Sequence, residues 1–304
     1  MAYDGRHTIS VDGSRRTSRR SLIKAAGIIG ACCAGLTRSH AAPAARELSF
    51  GLTPVFLSSD LDLIDALRAY LAKATGRAVR LVSRRTYQEV TAMLLSGEVD
   101  AAWICGYPYV AHRAALDLLA VPIWRGMPLY QAYVIVPAER RGASGLMDLA
   151  GDVHAFSDPD SNSGYLVTAA ALAAKRLRPQ DFFAKAFFTY SHRNVIRAVA
   201  SGLADSGSVD GYVWEVMTET DPGLTAQTRV VRRSDRLGFP PVAAPSARSG
   251  SPEPAAIRAA LLGMADDPVG RSVLGMLRLD GFGRGEPSLY DAIAAEAAVL
   301  QGLG

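Results

Sequence analysis

Residues 153–167 read Val153-His154-Ala155-Phe156-Ser157-Asp158-Pro159-Asp160-Ser161-Asn162-Ser163-Gly164-Tyr165-Leu166-Val167, and their order decides the fold class. The apolar run Val153 to Ser157 predicts a β-strand, a polar turn follows, and an alanine-rich helix is expected from Gly164 to Leu177. Strand, turn and helix in that order form the unit of a parallel α/β sheet. The turn itself has chemistry. Hydroxyls and unpaired backbone N–H groups converge on a helix start, an arrangement that holds a tetrahedral oxyanion without a basic side chain. The ordinary duty of Ser161 or Ser163 at this place is to cap the helix.

The same rhythm extends in both directions. Before the turn, strands are expected at Glu47–Val55, Ala78–Ser83, Val99–Ile104, Leu119–Trp124 and Tyr130–Pro137, and helices at Asp60–Thr75, Thr86–Leu95 and Pro108–Leu119. Ser59 or Asp60 is the expected cap of the first helix and Gly76 its end. After the turn come a strand at Phe187–Tyr190, a helix at Arg193–Gly202, and strands at Ser208–Val213 and Arg229–Arg233. Helices are expected again at Pro254–Asp266 and Ser288–Leu300. Two such α/β units predict two lobes joined by crossover strands, each a mixed, mainly parallel sheet flanked by helices, with a ligand cleft between them.

The charge of the chain lies in one place. Its 304 residues carry a formal charge of +4, yet residues 1–41 hold seven basic residues against two acidic ones. The remainder has 26 basic and 27 acidic residues, so nucleic-acid binding loses its electrostatic support. Ser18-Arg19-Arg20-Ser21-Leu22-Ile23-Lys24 followed by the apolar run Ala25–Leu36 reads as a twin-arginine signal peptide, with cleavage near Ala41 or Ala42. The run falls short of the roughly 20 apolar residues of a spanning helix. Ile29-Gly30-Ala31-Cys32 is the alternative, a lipid-attachment box that would tether the chain through Cys32. Export leaves Cys105 without another cysteine to pair with, either buried and inert or placed for a purpose.

Three segments fall at the carboxyl ends of expected strands, where open α/β sheets bind ligands. They are Trp103-Ile104-Cys105-Gly106-Tyr107-Pro108-Tyr109, the turn 158–165, and Tyr190-Ser191-His192-Arg193-Asn194. Each has a plain alternative: Cys105 as a small buried hydrophobe, the tyrosines as packing aromatics, His192 as a structural histidine. Cys105, His192 and Asp210 can also be drawn as nucleophile, base and orienter. No device for an oxyanion hole accompanies them, and no Walker loop, zincin motif or clustered Cys/His set occurs. An enzyme, a metal and a cofactor are therefore not expected.

Four motifs in order carry a resemblance. They are Phe50-Gly51-Leu-Thr-Pro, Tyr87-x5-Met93-Leu-Leu-x-Gly97-x-Val99-Asp100, Asp158-x-x-Ser161-x-Ser163-Gly164-Tyr165-Leu166-Val167, and Phe188-x-x-Ser191-His192-x-x-Val195-Ile196-x-Ala198-Val199-x-x-Gly202-x-x-Asp205. Together they resemble the phosphate, phosphite and phosphonate-binding proteins of ABC importers. The resemblance implies two lobes that close on a small oxyanion in the periplasm, delivery to an ABC permease, and a monomer. It places ligand contacts at Tyr87, at Ser161, Asn162, Ser163 and Gly164, at His192, and at Asp210 with Tyr212 beside it. Asn162 departs from the threonine common at that position. Cys105 and Tyr107 fall where several members carry an aromatic or polar group. Cys105 also opens an alternative, because a thiolate suits thiophilic species and a branch of the family senses arsenite and signals to a histidine kinase. The lobes implied are 42–136 with 230–304, and 137–229, after the signal at 1–41.

Overall fold

The computed structural model describes residues 46–55 and 61–302. The expected signal peptide with Cys32, and the expected cap at Ser59 or Asp60, lie outside these residues. β1 (Leu48–Leu52) is buried along its whole length and leads to α1 (Leu61–Thr75), which Gly76 closes at φ +64°. β2 (Val79–Ser83) and α2 (Tyr87–Leu95) follow. Thr86 opens α2 with a capping box. Its hydroxyl accepts from the Glu89 N–H at 3.2 Å, and the Glu89 carboxylate accepts from the Thr86 N–H at 3.0 Å. β3 (Ala101–Trp103), α3 (Gly106–Ala111) and β4 (Leu116–Ile123) come next. The helix expected through Leu119 ends at Ala111. The run Ala114-Ala115-Leu116-Asp117-Leu118-Leu119 suits either state by composition, and pairing with 242–245 and 281–283 makes its second half strand.

The middle of the chain contains β5 (Leu129–Tyr130), β6 (Ala132–Pro137) and β7 (Val153–Phe156). A π turn, Asn162–Leu166, leads into α4 (Val167–Ala173), with α5 (Pro179–Phe182) and β8 (Lys185–Phe188) behind it. Then come α6 (His192–Ala200), β9 (Ser206–Asp210), α7 (Gly211–Thr220), α8 (Pro222–Thr225) and β10 (Thr228–Arg233). The strand expected through Val213 stops at Asp210. That aspartate caps α7 by accepting from the Val213 N–H, and Tyr212, Val213 and Met217 become a buried helical face. Tyr212 therefore stands on a helix. The chain closes with β11 (Leu237–Gly238), β12 (Val242–Pro245), α9 (Pro252–Leu262), α10 (Pro268–Leu277), β13 (Gly281–Gly283) and α11 (Asp291–Gln301).

The strands sort into two main sheets. One has the order β13-β4-β12-β3-β1-β2, the other β10-β6-β9-β7-β8, and β11 pairs with β5 between them. β1 is parallel to β2 and β3, and β7 is parallel to β8 and β9; the remaining pairings are antiparallel. Each sheet is thus parallel where strand–helix–strand units build it and antiparallel toward the chain crossings. The implied lobe limits at 136/137 and 229/230 fall inside β6 and β10. Both of those strands pair wholly within the second sheet, so the chain crosses between sheets at 124–131 and 234–241.

Candidate functional site

The π turn at the carboxyl end of β7 organises the site. Ser161 caps it, its hydroxyl accepting from the Gly164 N–H at 3.0 Å, so the ordinary capping duty holds for this serine. Gly164 is required by close approach: a Cβ there would stand 1.8 Å from Ser157 Oγ and 3.0 Å from His192 Cε1. Ser163 Oγ donates to Asp210 Oδ2 across a long 3.5 Å.

His192 opens α6 beside this turn. Its Nδ1 accepts from the Asp210 N–H at 3.1 Å, and its Nε2 lies 3.2 Å from Tyr87 OH. Burial holds the imidazole neutral by lowering its pKa to about 3. With Nδ1 accepting, the proton belongs on Nε2 and is donated to the Tyr87 oxygen. The Tyr87 hydroxyl hydrogen then remains for another acceptor. Tyr87 comes from α2, under the first sheet, so this pair joins the two halves of the molecule. So does the Tyr87 N–H, which donates to Asp158 Oδ2 at 3.2 Å.

Cys105 meets the turn from the same side. It stands at the residue before α3, and its sulfur accepts from the Asn162 N–H at 3.2 Å. Burial pushes its thiol up to about 12, so it is protonated at neutral pH. Asn162 Nδ2 donates to Tyr130 OH at 2.8 Å. Asp210 is 3 % exposed, and burial raises its carboxyl to about 7, against the hydrogen bonds from the Val213 and Tyr212 N–H groups.

The structure thus brings Tyr87, Cys105, Asn162, Ser163, Gly164, His192 and Asp210 together around the Ser161 cap. Two expected residues sit at the edge of this cluster, and Tyr212 lines the cavity beside Asp210. Tyr107 is half-buried, with Asp160 and Tyr165 as its polar neighbours. The Tyr212 hydroxyl is engaged by the Leu277 carbonyl at 2.5 Å, and its ring packs edge-on against Trp124 and Phe239. Tyr130 and Asp158 were not among the expected contacts. Asp158 could have been found from its place in the turn. Tyr130 sits in a two-residue strand at a chain crossing and carries no local signal. No arginine or lysine is among the residues that meet here. Beside Asp210 and Thr53 a cavity of about 20 Å³ remains, room for about one water molecule. A groove of about 740 Å³ lies outside it and shares the Val55 and Tyr212 walls. Among the described residues no group of three His, Cys, Asp or Glu side chains is placed to hold a metal.

The family model described as "ABC transporter, phosphonate, periplasmic substrate-binding protein" matches residues 50–290. The chain belongs to that family. This binding protein is 28% identical over 226 residues to the phosphate-import protein PhnD of Mycolicibacterium smegmatis, covering 69% of this chain and 70% of the relative. Two solved structures share its fold. The binding-protein component of an ABC phosphonate transporter from Pseudomonas aeruginosa has a TM-score of 0.76 at 20% identity, over 84% of this chain and 87% of the other. PhnD1 of Prochlorococcus marinus, in complex with methylphosphonate, has a TM-score of 0.75 at 20% identity, over 84% and 98%. The two sheets flanked by helices are the two lobes of a periplasmic binding protein. The chain is accordingly the extracytoplasmic substrate-binding component of an ABC phosphonate or phosphate transporter, working with a membrane permease.

Proposed function

We propose that the cluster at the π turn is the ligand seat and that its ligand is a small tetrahedral oxyanion: phosphonate, phosphite or phosphate. The observation that carries this reading is the meeting of Ser163, His192 and Asp210 of one lobe with Tyr87 of the other around a helix start. The Tyr87 hydroxyl hydrogen and the hydroxyl and backbone N–H donors of the turn supply the anion's partners, and Asp210 accepts from a protonated ligand oxygen. The remaining cavity of about 20 Å³ is small for such an anion, so entry opens the lobes at the 124–131 and 234–241 crossings. The mature chain works as a monomer after export by the twin-arginine route, and the lobe boundaries lie at these crossings. Calorimetry against phosphate, phosphite, methylphosphonate and sulfate tests the reading. Submillimolar binding of one of the first three supports it, and failure of all four above millimolar concentration sinks it.

Cys105 supports a second reading, arsenite sensing linked to a histidine kinase, because its sulfur lies in the cluster against Asn162. Its raised pKa argues for the oxyanion instead, since the soft ligand is the thiolate. Arsenite affinity in wild type and Cys105→Ser separates the two; a cysteine-centred site requires a large loss in the variant. A hydrolase is disfavoured by geometry. The Asp210 N–H and Tyr87 engage both His192 nitrogens, leaving neither to serve Cys105 as a base.

A further inference from the structure

Two buried polar atoms beside the π turn have no hydrogen-bond partner: Asn162 Oδ1 and Ser157 Oγ. A serine hydroxyl rotates and imposes no direction, but an amide oxygen can only accept. The rest of Asn162 is committed. Its backbone N–H donates to Cys105 and its Nδ2 to Tyr130 OH. Beside it Ser163 donates to Asp210, which also takes the Val213 N–H. With Nδ2 facing the Tyr130 oxygen at 2.8 Å, the carbonyl is the end of the amide left over. Oδ1 remains an acceptor with nothing to accept, on a residue that is fully buried.

We propose that Asn162 is a specificity-determining residue whose side-chain carbonyl accepts a hydrogen bond from the ligand, so that the seat selects oxyanions that still carry protons. The proposal rests on the reading of the cluster as an oxyanion seat and names which oxyanions it takes. Asp210 accepts one ligand hydrogen and Asn162 Oδ1 a second. The favoured class is a tetrahedral oxyacid with two donors, such as dihydrogen phosphate or a phosphonate monoanion with a second donor on its substituent. Sulfate, with no hydrogen at neutral pH, leaves both acceptors unpaired and is refused.

The groups facing Asn162 are Cys105 on α3, Tyr130 on β5 and, through Ser163, Asp210 at the β9–α7 junction; Tyr87 and His192 complete the cluster. Burial keeps Cys105 and both tyrosines protonated and His192 neutral above pH 7.5, and Asp210 and Glu296, the latter on α11 packed against the turn, are mainly ionised there. Between pH 7.5 and 8.5 the pH dependence of phosphate affinity therefore reports the protons on the ligand. Wild-type affinity should fall about tenfold across that interval, following the dihydrogen form. In Asn162→Thr, whose hydroxyl can donate, the monohydrogen form suffices and the fall should shrink to roughly threefold or less. Tyr130→Phe removes the group that orients the amide and should flatten the slope in the same way, giving a second variant if the first does not fold. Parallel slopes in wild type and a folded variant overturn this proposal alone. If phosphate, phosphite and methylphosphonate all fail to bind wild type, the seat reading falls and this proposal with it.

Discussion

Two histidines of the second lobe, His154 and His192, share almost every local property and differ in one. Each is buried, each has both ring nitrogens engaged, and burial lowers each pKa to about 3. His154, on β7, lies between Ser206 Oγ at 2.8 Å and Ser208 Oγ at 2.9 Å, with Thr168 behind Ser208 and its ring stacked on Phe183. All those partners belong to its own lobe. His192 joins the Asp210 N–H of its own lobe to Tyr87 of the other. Burial and neutrality therefore do not distinguish a histidine bonded within one lobe from one that joins two. The origin of the partners does: on the proposed reading, only bonds that cross between the lobes change when the lobes move.

The largest expected effect tests what the two share. A histidine held neutral in the fold but free to protonate when unfolded contributes stability above its ordinary pKa of 6.5, and that contribution is lost as pH falls toward 3. Each should cost about 3 kcal/mol between pH 6.5 and 4. Asp210 runs the other way: raised to about 7, it favours the fold at low pH and loses that contribution as pH rises from about 4 to 7. The wild-type profile is thus partly levelled, and denaturant titrations across this range should show a flatter rise of stability with pH in His154→Leu and a steeper rise in Asp210→Asn than in wild type.

Substitution separates the pair. His192→Ala should weaken oxyanion binding about 100-fold, equivalent to about 3 kcal/mol, measured by calorimetry. His154→Leu should leave affinity within threefold while costing about 2 kcal/mol of stability at pH 7, since Ser206 loses its partner. That deficit should narrow by pH 4, where the wild type has lost the contribution of His154. If His154→Leu also abolishes binding, the distinction by partner origin is broken. A smaller effect sharpens the same point. Tyr87→Phe keeps the ring and removes the hydroxyl that crosses the cleft, so affinity should drop about tenfold with little change in melting temperature. An equal drop in stability would place Tyr87 with the structural group.

Much of this was legible in the chain itself, for identifiable reasons. The turn 158–165 and the starts of α2 and α6, each expected within a residue of its place, announce themselves by residue type, because capping and turn chemistry act over three or four residues. The same local logic misplaced Val213: Gly211-Tyr212-Val213-Trp214 is β-rich in composition, and the capping aspartate before it outweighed propensity. The sheets were expected to be mixed but mainly parallel, whereas six of the ten pairings among the described residues are antiparallel, because alternation in a strand carries no information about the direction of its neighbour. Tyr130 was invisible, since a two-residue strand has no periodicity to read.

The sequence by itself determined the basic first 41 residues and the near-neutral remainder, the alternation of strands and helices, and a hydroxyl-rich turn that resembles an oxyanion site in this family. Only the tertiary structure decided which side chains face that turn. Tyr87 reaches His192 across 105 residues and Cys105 reaches Asn162 across 57. No local pattern encodes such a meeting, because where the chain crosses between sheets sets it. The same crossings set burial, and burial made Asp210 a carboxyl near 7, Cys105 a protonated thiol at neutral pH and His192 a neutral donor. Residue type supplies the functional groups; the dielectric and the partners around them supply their chemistry.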